Sequence, residues 1–400
     1  MDGLNRRDFL ALGAGGLAAL GARRDDGGLV VHEWGVVTIP YGAKESGVRS
    51  AGVRLGKRGE EIADLPKFVA TWAGAVGKQI AELEAMPVRK PVVYFYSKAE
   101  ARVRLKVSIP GGRPDAWWPP ADDFAPKAKF LNPRQLGGRP QKLSEIEPKD
   151  GHLAWQTLTV DPAAGEFPKA DGWWETARKT DAATVRHKGA VEKFLFYDAL
   201  TLCDPGLSIL WKKGGKVELH NGSEEPLRHL FALRVKDGRC SSAYHRELEK
   251  GGRVELAVAE GEPGNFADGL VDAGLYRKEA AAIVEIWKEE FFRIDGARVL
   301  TILPRAAYDR LLPLEIHPAP KELQRVLIAH LECLDAEARE AIASLVEQLG
   351  ADELEKREAA ATTLRARMPL AGSVIREALR AAKDAEIRGR LEDLLKPLNK

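Results

Sequence analysis

The sequence predicts a mainly β protein, sandwich-like and built of two packed halves, with one long amphipathic helix and a C-terminal α-helical appendage. Three observations predict it. From residue 29 to about 258, short apolar runs recur between Gly, Pro, Asn and Asp turn signals, several alternating at period two. Residues 276–292 then change to the helical period. From Asp335 onward the pattern is helical throughout. These changes divide the chain into a leader (1–28), a first β-rich half (29–185), a second (186–334) carrying helix 276–292, and the appendage (335–400).

The individual elements follow in order. Residues 29–39, Leu-Val-Val-His-Glu-Trp-Gly-Val-Val-Thr-Ile, are rich in β-branched side chains and stop at Pro40. Residues 65–86 suit a helix or two, with Phe68, Val69, Trp72 and Val76 on one face and Gly74 and Gly77 weakening it. Residues 91–96 read as a buried strand, and 102–109 as a half-exposed one with Val103, Leu105, Val107 and Ile109 inward. The Pro, Gly and charge content of 110–150 predicts a long loop. Further strands are expected at 153–160, 192–197, 217–220, 230–235 and 253–258, with Asn221-Gly222 and Asp237-Gly238 as turns. Tyr276, Ala280, Ile283, Val284, Trp287 and Phe291 make one helical face, and Glu279, Glu285, Glu289 and Glu290 are assigned to the other side. Strands return at 299–303 and 326–331. Asp335 is the expected N-cap of a helix to Leu349, followed by helices over 351–368, 371–382 and 384–395.

Composition narrows the function. The 61 Lys and Arg against 59 Asp and Glu give a net charge of +2, without the basic excess of a nucleic-acid binder. No apolar run reaches the about 18 residues of a membrane-spanning helix. The N-terminal Asn5-Arg6-Arg7-Asp8-Phe9-Leu10, followed by a short Gly- and Ala-rich apolar stretch, resembles a twin-arginine export signal. Small residues at Ala19, Gly21 and Ala22 place cleavage near residue 22. The resemblance implies export of a folded chain, periplasmic or secreted. In that oxidising setting Cys203, Cys240 and Cys333 allow one bridge, and Cys203–Cys240 is the favoured pair.

No complete catalytic signature is present: there is no G-x-S-x-G, H-E-x-x-H or phosphate-binding loop. His32 and Glu33 are adjacent, so on a strand they point to opposite faces. Glu315, His317, His330 and Glu332 are the candidate metal ligands. An antiparallel register pairing 315 with 332 and 317 with 330 would put all four on one patch. Trp117-Trp118 and Trp173-Trp174 are the candidate ligand-binding indoles, suited to stacking on a sugar ring.

The ordered blocks His32-Glu33-Trp34-Gly35, Trp174-Glu175-x-Ala177-Arg178, Glu192 to Tyr197 and Leu312-Pro313-Leu314 resemble a family of uncharacterised exported bacterial proteins of planctomycete type. The resemblance covers most of residues 29–333 and implies export without implying an activity. That family carries Arg where this chain has His330, so the resemblance lends His330 no ligand role. The stretch from Leu349 to Leu395 resembles a HEAT-like helical repeat.

The expectation is therefore an exported, non-catalytic binding or scaffold protein of the cell envelope, with no cofactor and an envelope protein or polymer as partner. A metal-dependent hydrolase holding a divalent ion at the four candidate ligands is the alternative. A glycan-binding module using the Trp pairs is the second alternative.

Overall fold

The computed structural model describes residues 28–41, 65–71, 87–127, 150–201, 203–368 and 370–395. Arg6 and Arg7, most of the expected helix 65–86 and much of the expected loop 110–150 lie outside these residues. The fold is mainly β, with several sheets, and all the larger expected strands are present.

Among the described residues the largest sheet has ten strands. Their order is Ala259–Glu260, Arg239–Leu248, Leu227–Lys236, Gly296–Ile302, Glu322–Cys333, Val30–Pro40, Pro87–Tyr96, Leu195–Leu200, Arg113–Trp118 and Ala70–Thr71. Val30–Pro40 lies in its middle, and every residue from Val31 to Pro40 is buried. It runs parallel to Glu322–Cys333 on one side and antiparallel to Pro87–Tyr96 on the other. A second sheet contains Leu314–His317, Ala101–Pro110, Asp150–Asp161, Thr184–His187 and Ala190–Glu192, and a third contains Leu207–Lys212, Lys216–Asn221 and Arg253–Ala257.

Strand alternation sorts the side chains of the large sheet into two cores. Val31, Val93, Phe95, Leu327 and Ala329 join Leu105, Val107 and Trp155 of the second sheet and Ile209 and Val217 of the third. Trp34, Val36, Val92, Val326 and Ile328 face the other way, against Ile283, Trp287 and Phe291 of helix Arg277–Phe292. Burying side chains of that size stabilises by about 1.5–3 kcal/mol each. The helix therefore docks by the face its period predicted.

Several expectations need correction. The division at residue 185 is not a structural boundary, because strand Thr184–His187 crosses it and the large sheet takes strands from both sides. Apolar strands needing cover on both faces find it far away in the sequence. Helix Arg277–Phe292 is accompanied in the β-rich part by the short helices Trp173–Ala177, Phe266–Asp272 and Arg305–Leu311, which were not expected. Residues 65–71 form a turn and a short strand where a helix was expected. Trp117 and Trp118 sit in strand Arg113–Trp118, not in a loop, opposite Tyr197 and Phe196. Cys203, Cys240 and Cys333 are separate buried thiols, so the Cys203–Cys240 bridge is not formed. Burial pushes the Cys203 thiol up to about 12, with Asp204 adding to the effect.

The Asp237-Gly238 turn joins its strands as expected. Lys236 pairs with Arg239, and both turn residues take positive φ, 52° and 71°, as a two-residue hairpin requires. Asp335 caps helix Ala336–Gln348 by accepting the Ala338 N–H at 2.8 Å. Helices Leu354–Ala366, Gly372–Ala381 and Ala385–Leu395 follow and share an apolar core of their own, centred on Ile342, Leu364, Ile375 and Leu391.

Candidate functional site

The four expected metal ligands do not meet. Glu315 and His317 pair with Lys106 and Arg104 in the second sheet, where both are exposed. His330 and Glu332 are buried in the large sheet, opposite Leu300 and Arg298. Pro318 and Pro320 end the first strand, and the buried run 326–331 pairs where both its faces are covered. Among the described residues, no group of three or more His, Cys, Asp or Glu side chains could hold a metal ion. Three of the four candidate indoles are not open for stacking on a sugar ring, and Trp118, half-buried, has its ring centre 4.7 Å from that of Phe68. Trp117, Trp173 and Trp174 are buried, and Trp174 packs on Phe194 and Phe196 while donating its Nε1–H to Glu192 at 2.8 Å.

The polar chemistry gathers instead around Val30–Pro40. His32 and Glu33 take opposite faces, as adjacent strand residues must. On the second-sheet side, Glu33 Oε1 accepts the Tyr197 hydroxyl at 2.5 Å, and Oε2 accepts Arg325 Nε–H. Arg325 also donates to Asp309 at 2.6 Å and to the Leu312 carbonyl at 2.8 Å, with its guanidinium 4.0 Å from the centre of the Tyr308 ring. Burial alone would lower the Arg325 pKa, but the Glu33 carboxylate overrides it and holds the guanidinium above its ordinary value. Each polar group of the pair has a partner, and helix Arg305–Leu311 is tied to the sheet.

On the helix side, His32 Nδ1 lies 2.8 Å from Glu279 Oε2, and neither residue is exposed. A carboxylate only accepts, so His32 donates to it from Nδ1. Glu279 also accepts the Tyr276 N–H at 2.7 Å, closing the first turn of the helix where a negative charge suits the dipole. The assignment of Glu279 to the solvent side is thus corrected: it faces the sheet. Tyr276 and Tyr96 cover His32, their ring centres 4.3 and 5.3 Å from its own. Burial pushes the Tyr96 phenol upward, and the neighbouring Glu279 charge pushes it further.

A second histidine–carboxylate pair lies at the same face of the sheet. His229 has a φ of 52°, rare for a residue with a side chain, at a register shift between Arg228 and Phe231. The bulge aims its ring between two partners. His229 Nδ1 is 3.1 Å from the Tyr244 hydroxyl and Nε2 is 3.2 Å from Asp272 Oδ2. Gly269 gives the ring its space, since a Cβ there would stand 2.9 Å from Nδ1. His229 is 4 % exposed, whereas Tyr244 is 36 % exposed. Burial lowers the His229 pKa, opposed by Asp272 and aided by Arg246 and Arg228.

One connecting segment, 272–279, supplies both carboxylates. Between them, the Ala273 carbonyl accepts the Gln324 side-chain amide at 2.5 Å. Gly274 passes over that amide at φ 101°, where a Cβ would come within 2.6 Å of Gln324 Cδ. A polar row of His229, Gln324, His32 and Tyr96 therefore crosses the sheet beneath this segment.

None of His229, Tyr244, Asp272, Glu279 or Arg325 was singled out from the sequence as part of a site. The usable signals were a charge inside an apolar strand (Arg325) and a carboxylate flanking the apolar helix stripe (Glu279). Comparison with protein-family models finds no match, and comparison with curated proteins finds none either.

Proposed function

We propose that this is an exported binding or scaffold protein of the cell envelope, with the C-terminal helices as its partner surface. The observation that carries this reading is how the helices are attached. They keep an apolar core separate from both cores of the β body. Charge pairs line the seam: Arg234 with Asp335 and Glu337, both at 2.7 Å, Lys236 with Glu337 at 3.0 Å, and Lys213 with Glu340 at 2.6 Å. A helical element with its own core presents a rigid outer surface at no cost to the body's packing. The HEAT-like resemblance agrees with that use, because stacked helical hairpins serve as binding surfaces. The twin-arginine resemblance of Arg6 and Arg7 supports delivery outside the cytoplasm. The reading of the body as a sandwich is supported by the one core that joins the large sheet to the two smaller ones.

The test compares the full chain with R6K/R7K and with a charge-reversed appendage, R380E/R388E, in envelope fractions. Export abolished by R6K/R7K, together with a stoichiometric complex lost in R380E/R388E, is the expected result. A chain free of partners in the envelope, or a complex indifferent to the appendage substitutions, would overturn the reading.

A further inference from the structure

We propose that Tyr244 is a nucleophile primed by His229 and Asp272, able to take an acyl group from an activated carboxylic ester. This goes beyond the scaffold reading and does not depend on it.

The geometry sets the direction of proton movement. Asp272 can only accept, so the His229 proton sits on Nε2 and Nδ1 is left to accept from the Tyr244 hydroxyl. A nucleophile within reach of a base, and a base oriented by a third group, is the arrangement that activates weak hydroxyl nucleophiles. Tyr244 is 36 % exposed; burial raises its phenol pKa, and the Arg246 charge draws it back down. Arg246 lies two residues from Tyr244 on the same strand face and donates to Asp272 Oδ2 at 3.2 Å. Its guanidinium supplies positive charge beside the phenol, where a carbonyl oxygen turning negative would be stabilised.

Three features show that the site is built. The left-handed backbone of His229 is a conformation that folded structures retain where a side chain must be aimed. The register shift at the same residue produces that aim. Gly269, on the facing helix, removes the one atom that would displace the imidazole.

In the step itself, the phenol oxygen forms a bond to the ester carbonyl carbon and the bond from that carbon to the leaving oxygen breaks. The phenol proton passes to His229 Nδ1 and then to the departing oxygen. The products are acyl-Tyr244 and a free alcohol or phenol, with no oxidant or other reactant required.

The protein carries its own control. Tyr276 is more exposed than Tyr244, 45 % against 36 %, but lays its ring, tilted by 40°, against a histidine in place of bonding to it through oxygen. The full chain is treated with p-nitrophenyl acetate, and acetylation of each tyrosine is followed by peptide mass. Tyr244 should be acetylated about tenfold or more faster than Tyr276, with the fast release of p-nitrophenolate lost in Y244F and the slow Tyr276 reaction kept. Asp272 is a positioning residue, so D272N should bring the Tyr244 rate down to that of Tyr276 and leave Tyr276 unchanged. The Tyr244 rate should also fall as acid protonates His229, which faces Asp272 on the helix, Tyr244 and Arg246 on the neighbouring strand, and Arg228 beside it. Equal rates at the two tyrosines in the unsubstituted chain, or a Tyr244 rate indifferent to D272N, would overturn the proposal.

Discussion

The two histidine–carboxylate pairs beneath segment 272–279 contain the same chemical groups and differ in access. His32 and Glu279 are fully buried, capped by Tyr276 and Tyr96, and join the central strand to the first turn of a long helix. His229 and Asp272 lie toward the sheet's edge, with the Asp272 side chain 52 % exposed and Tyr244 open to solvent. The first pair acts as a clamp whose removal leaves a buried polar group unsatisfied. The second couples a reachable hydroxyl to a base, and its carboxylate adds little stability because water competes for it. The same pairing of imidazole and carboxylate thus serves packing in one place and reactivity in the other.

Substitutions can break this contrast. The largest effect is expected on the far face of the central strand, where E33A leaves the Arg325 guanidinium buried without its main counter-charge. Loss of a buried partner of this kind costs about 3–5 kcal/mol, measurable as a lower denaturation midpoint at unchanged slope. A midpoint shifted by less than a third of that would mean the Glu33–Arg325 contact is replaceable by Asp309 and Tyr308. Next, G269A forces a Cβ toward the His229 ring and should destabilise by about 1–3 kcal/mol while slowing Tyr244 acetylation. A variant with full Tyr244 reactivity would show that the imidazole position is not what sets it.

The direct comparison comes third. E279Q should cost about 1–3 kcal/mol, because it exchanges a charged acceptor for an amide in a buried site. D272N should cost under about 1 kcal/mol. Equal losses from the two variants in thermal unfolding would erase the distinction between clamp and relay. The smallest effect concerns acid. The fold lowers the His229 pKa, so the folded state favours the neutral ring. Its contribution is complete at neutral pH and is lost as pH falls from the ordinary histidine value, about 6.5, toward the lowered folded value. H229N, whose side chain tolerates the left-handed backbone, should show a shallower loss of stability between pH 7 and 5. A steeper one would reverse the assigned sign.

Local signals were legible in the sequence because local chemistry decides them. The helix beginning after Tyr276, the Asp335 cap and the Asp237-Gly238 turn each depend on residues within one or two turns of chain. Long-range register was not legible. The register that paired 315 with 332 and 317 with 330 joins strands that belong to different sheets. The Trp117-Trp118 pair looked loop-like because Pro114, Pro119 and Pro120 surround it, although the strand takes in Pro114 and ends only at Trp118. The His229 relay was hidden for a different reason. Its members come from two strands and a helix, and a bulge that no dipeptide announces turns the histidine toward the other two.

The central position of Val30–Pro40 also has a consequence for synthesis. Its parallel partner, Glu322–Cys333, is among the last strands of the body to be made, so the middle of the large sheet cannot close until nearly the whole β region has been translated. Contacts of such sequence separation fold slowly and leave apolar strands uncovered while they wait. Under the export reading, a carrier that accepts only folded passengers would in effect be testing this one pairing. A chain truncated before residue 322 would then be retained in the cytoplasm with an intact Arg6-Arg7 signal.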